Sequence, residues 1–107
     1  MDSAQARQLN DLSSKALPGG TGYLFLTVLT MEELAELTQA LSKSLRGLYN
    51  DPSLAKDVCW LKMIVEEVAD VEIMLSRLVE KYDIRADVNE VKKQKIKRTL
   101  QRLSSLK

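Results

Sequence analysis

Apolar side chains recur along this chain at steps of three and four residues, the period of an amphipathic helix. Leu34, Thr38, Leu41, Leu45 and Leu48 form one such series, and Trp60, Met63, Ile64, Val71, Met74 and Leu78 form another. There is no sustained apolar/polar alternation and no Asn-Gly or Asp-Gly hairpin, so no strand is predicted. Proline and glycine mark the boundaries. Asp2 is placed to cap a short helix over about Ser3–Leu17, which Pro18-Gly19-Gly20 closes. A second helix is expected from about Thr21 to Leu48. Asn50 or Asp51 then serves as N-cap, with Pro52 at the first position of a third helix reaching about Tyr82. Asp83 to Ala86 interrupts it, and Asp87 with Glu90 makes a capping pattern that opens a last helix running to about Leu103. The pattern predicts an all-α antiparallel helical bundle: two long hairpin helices, a C-terminal helix and a short N-terminal one. Residues 1–20 read as an N-terminal helical segment and 21–107 as the main domain.

The chain has 107 residues, 45% hydrophobic and 29% charged, one globular domain with a core small enough to gain from oligomerisation. Sixteen basic and fifteen acidic residues leave a net charge of +1, so global charge points to no polyanionic partner. Histidine is absent and Cys59 is the sole cysteine. Imidazole-based triads, His-containing di-iron sites, internal disulfides and cysteine-based zinc sites are thereby excluded. Cys59 reads as a buried structural thiol, and Met63 and Met74 as core. Residues 1–5 carry no basic n-region, and the apolar stretch from Tyr23 to Leu29 is too short to span a bilayer. A cytoplasmic protein with no membrane partner is expected.

Two acidic clusters stand out, Glu32-Glu33-Leu34-Ala35-Glu36 and Glu67-Val68-Ala69-Asp70. Glu33 with Glu36, and Glu67 with Asp70, are three apart and project from nearly one face of their helix. Facing residue numbers in an antiparallel hairpin add to a constant. Glu36 with Glu67 and Glu33 with Asp70 both give 103, and the midpoint falls in the predicted turn, between Asp51 and Pro52. Four carboxylates are therefore expected to converge. At about 100° per residue Glu67 lies in the stripe of Trp60, Ile64, Val71, Met74 and Leu78, with Asp70 on its flank. Glu33 and Glu36 share a sector with Leu26, Leu29, Leu37 and Ala40. An ionised carboxylate in an apolar stripe is costly unless paired or metal-bound, and four together repel one another. A divalent cation relieves both, and oxygen-only ligation suits Mg²⁺, with Mn²⁺ as substitute. The bland alternative is that acids sit on solvated faces beside basic neighbours. It suits Glu32, Glu72, Glu80 and Glu90, but not Glu67, whose neighbours one turn away are Met63, Ile64, Asp70 and Val71.

These residues resemble the signature of the MazG-like, all-α nucleoside triphosphate pyrophosphohydrolases, Glu-Glu-x-x-Glu on one helix and Glu-x-x-Asp on the next. The likeness runs from roughly Tyr23 to Arg102 and takes in Leu-Thr-Gln-Ala-Leu-Ser-Lys after the first cluster. The 30 residues between the motifs exceed the gap in many MazG proteins. By position the resemblance implies Glu33, Glu36, Glu67 and Asp70 as Mg²⁺ ligands and hydrolysis of (d)NTPs to monophosphate and pyrophosphate, often as nucleotide housecleaning. It also implies basic residues near the C-terminal helix that contact phosphates. The family usually forms homo-oligomers, so a homodimer or homotetramer is expected.

On the last helix Lys95, Arg98 and Arg102 continue the stripe of Val88 and Val91, while Ile96, Leu100 and Leu103 form a separate apolar side. The three cations suit phosphate contacts, and a solvated basic face is an equal reading of each. Lys43, Lys92, Lys93 and Lys97 are assigned to solvent. Trp60 and Tyr23 are candidate walls of a base pocket, though an aromatic at helical spacing is more often core. Lacking histidine and an activated nucleophile, the economical mechanism is attack of a metal-activated water on the α phosphorus, with Glu32 or Glu36 taking its proton. Competing readings are a phosphoribosyl-ATP pyrophosphohydrolase, which shares the acidic constellation, a non-enzymatic helical oligomerisation or adaptor module, and, ranked lowest, a nucleic-acid binder using the segment from Lys92 to Arg102.

Overall fold

The computed structural model describes residues 1–16, 23–50 and 58–106, with side chains at 1–16, 23–46 and 60–106. Four helices follow in order: α1 Ser3–Ala16, α2 Tyr23–Asn50, α3 Val58–Tyr82 and α4 Arg85–Ser104. Among the described residues there is no strand, and no helix is long and apolar enough to cross a membrane. The predicted cap and first turn at Asp51 and Pro52 lie outside the described residues, as does the side chain of Cys59. Asn50, the alternative cap, is the last residue of α2.

The two long helices pack along a seam whose steps alternate four and three. On α2 it runs through Leu26, Thr30, Glu33, Leu37, Ala40 and Ser44; on α3 through Trp60, Ile64, Glu67, Val71, Met74 and Leu78, all buried or half-buried. This is the spacing of knobs-into-holes packing. The Tyr23 ring stacks on Tyr82 at 4.9 Å between centroids, tying the start of α2 to the end of α3 and making the pair antiparallel. The buried hydroxyls are satisfied locally: Thr30 donates to the Leu26 carbonyl at 2.7 Å and Ser44 to that of Leu41 at 2.7 Å. The leucine series from Leu34 onwards does not form the seam. Leu34, Leu41 and Leu45 sit one residue after seam positions and are exposed. Met63, expected in the core, is also exposed, whereas Met74 is buried.

Helix α1 opens on a reciprocal cap: the Gln5 amide donates to Asp2 Oδ1 at 2.7 Å, and the Asp2 amide to Gln5 Oε1 at 3.1 Å. It docks on α3 through buried Ala6 and a polar clamp. Arg77 Nε donates to Asn10 Oδ1 at 2.9 Å, Arg77 Nη2 to Ser13 Oγ at 3.0 Å, and Asn10 Nδ2 to the Arg77 carbonyl at 3.0 Å. Burial pushes the Arg77 guanidinium below its usual range, and these acceptors keep the charge tolerable. Arg7 adds an ion pair to Glu80 at 3.6 Å.

Asp83 adopts a positive φ of 54° just past the end of α3. Its amide bonds to the Glu80 carbonyl and that of Ile84 to Val79, the Schellman pattern with aspartate where glycine is usual. Helix α4 therefore begins at Arg85, ahead of the expected Asp87–Glu90 box. Ile84 is its cap residue without a side-chain bond, and Asp87 falls in the first turn. From Asn89 to Leu106 every residue is exposed.

Candidate metal centre

Glu33 and Glu67 occupy seam positions, where the helical repeat would otherwise call for aliphatic residues. Glu36 and Asp70 each lie one residue before a seam position, Leu37 and Val71. In an antiparallel pair an offset of the same sense on both helices falls on one side of the hairpin, so these two acids flank the seam together. The structure gathers the predicted carboxylates accordingly. One oxygen each of Glu33, Glu67 and Asp70 lies within 4.8 Å of the others. Glu36 is close enough to interact with both Glu33 and Glu67 through charge and hydrogen bonding. Glu33 and Glu67 are half-buried, while Glu36 and Asp70 are exposed.

The electrostatics of the cluster follow from that placement. Burial, then repulsion from Glu36 and Asp70, raises the Glu33 carboxyl above its ordinary value of 4.5. Glu67 is raised by the same causes in the same order, with Glu66 adding to the repulsion. The contribution of Glu66 was not anticipated from the sequence, although its position beside Glu67 was the available signal. Oε2 of Glu33 and Oε2 of Glu67 are buried with no hydrogen-bond donor. Carboxylate oxygens only accept, so a cluster made of acids alone leaves them orphaned unless a proton or a cation enters.

The donor set fits a hard divalent cation. Ligands at about 2.1 Å around Mg²⁺ stand roughly 3 Å apart when adjacent and roughly 4.2 Å apart when opposite, so three oxygens within 4.8 Å of one another would draw closer together to share one ion. Glu33, Glu67 and Asp70 would hold the ion from two helices, and Glu36 stands beside two of them.

The other expected site residues are placed differently. Glu32 is exposed beside the cluster. Trp60 is half-buried on the seam, about 10 Å along α3 from Glu67 towards the start of that helix. Tyr23 lies about 15 Å along α2 from Glu33 in the opposite direction. It is exposed, stacked on Tyr82, with Lys81 Nζ 5.3 Å from its ring centre. One base does not reach both aromatics. Lys95, Arg98 and Arg102 are exposed on the part of α4 that has left the body, and among the described residues the charges acting on Glu33 and Glu67 are acidic. Set against protein-family models, curated proteins and solved structures, the chain matches none.

Proposed function

We propose that this chain is a Mg²⁺-dependent nucleoside triphosphate pyrophosphohydrolase acting in the cytoplasm, with Mn²⁺ able to substitute. The observation that supports it is the pair of buried, donorless oxygens on Glu33 and Glu67, close to Asp70 and Glu36. A cation answers that arrangement, and the (d)NTP substrate follows from the resemblance of the two acidic motifs to the MazG-like family. When bound, the ion supplies charge neutralisation for the phosphates and Lewis acidity towards the attacking water. Glu33, Glu67 and Asp70 hold and orient it. Glu36, exposed and flanking, or Glu32 one turn before it, accepts the proton of the water that attacks the α phosphorus. Trp60 is the nearer aromatic to the cluster and the better candidate for a base contact. Lys95, Arg98 and Arg102 reach phosphates only by movement of α4 or from another chain. Within the same reaction class, a phosphoribosyl-ATP pyrophosphohydrolase uses the same acids.

The test is pyrophosphate release from each canonical (d)NTP with Mg²⁺, read against inorganic phosphate, for the wild type and Glu67→Gln. The proposal expects pyrophosphate from at least one nucleotide and a loss of at least a hundredfold in the variant, with helicity retained. Equal activity in the variant, or none in the wild type, removes it. A non-enzymatic oligomerisation module is the second reading, favoured by the exposed apolar side chains of α2 and α3. It expects no thermal response to Mg²⁺.

A further inference from the structure

Helix α4 leaves the body after Val88 and presents a face of its own. Asn89, Lys93, Ile96, Leu100 and Leu103 recur at steps of four and three, the spacing of a coiled-coil seam. All five are exposed, Ile96 by 58% and Leu100 by 60%. Lys92 and Lys97 stand on either side of the row, and with Lys93, Ile96 and Leu100 they line one continuous groove. We propose that this groove docks an acidic amphipathic helix of another protein, with aliphatic residues at seam spacing and Glu or Asp on its flanks. Charge selects that occupant. The helix carries seven basic residues against two acidic ones. Two copies of it repel each other: in a parallel pair Lys92 of one would face Lys97 of the other, and in either direction Lys93 enters the seam. Carboxylates at the partner's flanking positions turn those clashes into attraction. A nucleic acid would meet the lysines but leave Ile96, Leu100 and Leu103 in water. A lipid surface favours a broad apolar face with aromatic side chains, whereas this row is narrow, holds no aromatic and is interrupted by Lys93. Lys95, Arg98 and Arg102 project from the opposite side of the helix. The inference is therefore independent of metal binding and catalysis.

Binding of two synthetic helical peptides to the full chain, without divalent cations, tests it. Both peptides carry leucine at the seam positions; one has glutamate on its flanks and the other lysine. Fluorescence anisotropy of the labelled peptide compares the wild type with Ile96→Ser/Leu100→Ser and with Lys92→Glu/Lys97→Glu. All four positions are exposed in the folded chain. Far-ultraviolet dichroism checks helicity, and the charge-swapped pair keeps the test decisive where serine frays the arm. The wild type is expected to bind the glutamate peptide alone, saturably and less tightly as salt is added. The serine variant should bind it about tenfold or more weakly, and the charge-swapped variant should prefer the lysine peptide. No binding by the wild type, equal binding of both peptides, or an unchanged preference after the charge swap overturns the proposal. So does tighter binding to phosphatidylserine vesicles or to an oligothymidylate. A sedimenting mass that halves when Ile96 and Leu100 are replaced also overturns it, because a second copy would then be the occupant.

Discussion

At the scale of single residues, Glu33 and Glu67 work against the fold that holds them. Each takes a seam position that a leucine would fill, and each is raised above 4.5 by burial first and by neighbouring acids second. Between 4.5 and the raised values, the folded metal-free chain binds more protons than the unfolded one. Its stability therefore falls as pH rises through those values and is regained as pH drops towards 4.5. Denaturant titrations from pH 4.5 to 8 are expected to show this slope in the wild type and a smaller one in Glu67→Gln, which removes one titrating group. The same substitution should stabilise the metal-free protein at pH 8, since it relieves repulsion without opening a cavity. Asn10 is the opposite case. Asn10→Ala strips the Arg77 guanidinium of one acceptor and the Arg77 carbonyl of its donor, at an expected cost of about 2 kcal/mol in urea unfolding. Neither the polar clamp nor its value was legible in the sequence, where no motif marks Arg77 or Asn10.

At the scale of elements, periodicity fixes helices better than it fixes their faces. Existence and order of all four helices were readable, and the constant index sum brought Glu33, Glu67 and Asp70 together as found. The leucine series on α2 was readable as helical, but its outward direction was not. Two stripes offset by one residue have the same period, and only the partner helix chooses between them. The start of α4 was missed because an aspartate adopts the left-handed conformation that glycine usually signals. Asp83→Gly is accordingly expected to stabilise the α3–α4 corner by about 0.5–1 kcal/mol, measured by thermal unfolding. Hydrogen exchange should rank the elements, with seam amides of α2 and α3 slowest and those of α4 beyond Val88 fastest.

At the scale of the whole molecule, charge and apolar surface are sorted by element. Helix α4 carries Arg85, Lys92, Lys93, Lys95, Lys97, Arg98 and Arg102 against Asp87 and Glu90, while the acids concentrate on α2 and α3. The near-neutral total therefore conceals a basic arm on an acidic body, and composition alone could not reveal it. The hairpin offers an apolar face on one side and an acidic cluster on the other. The proposed reaction requires a cation between substrate phosphates and this acidic cluster, since like charges repel. The most direct measurement is a calorimetric titration of Mg²⁺ into the wild type and Glu67→Gln at pH 7.5, run in two buffers of different ionisation heat. Saturable binding of about one ion per chain is predicted, with affinity lost in the variant. No saturable binding, or equal binding in the variant, would contradict the account.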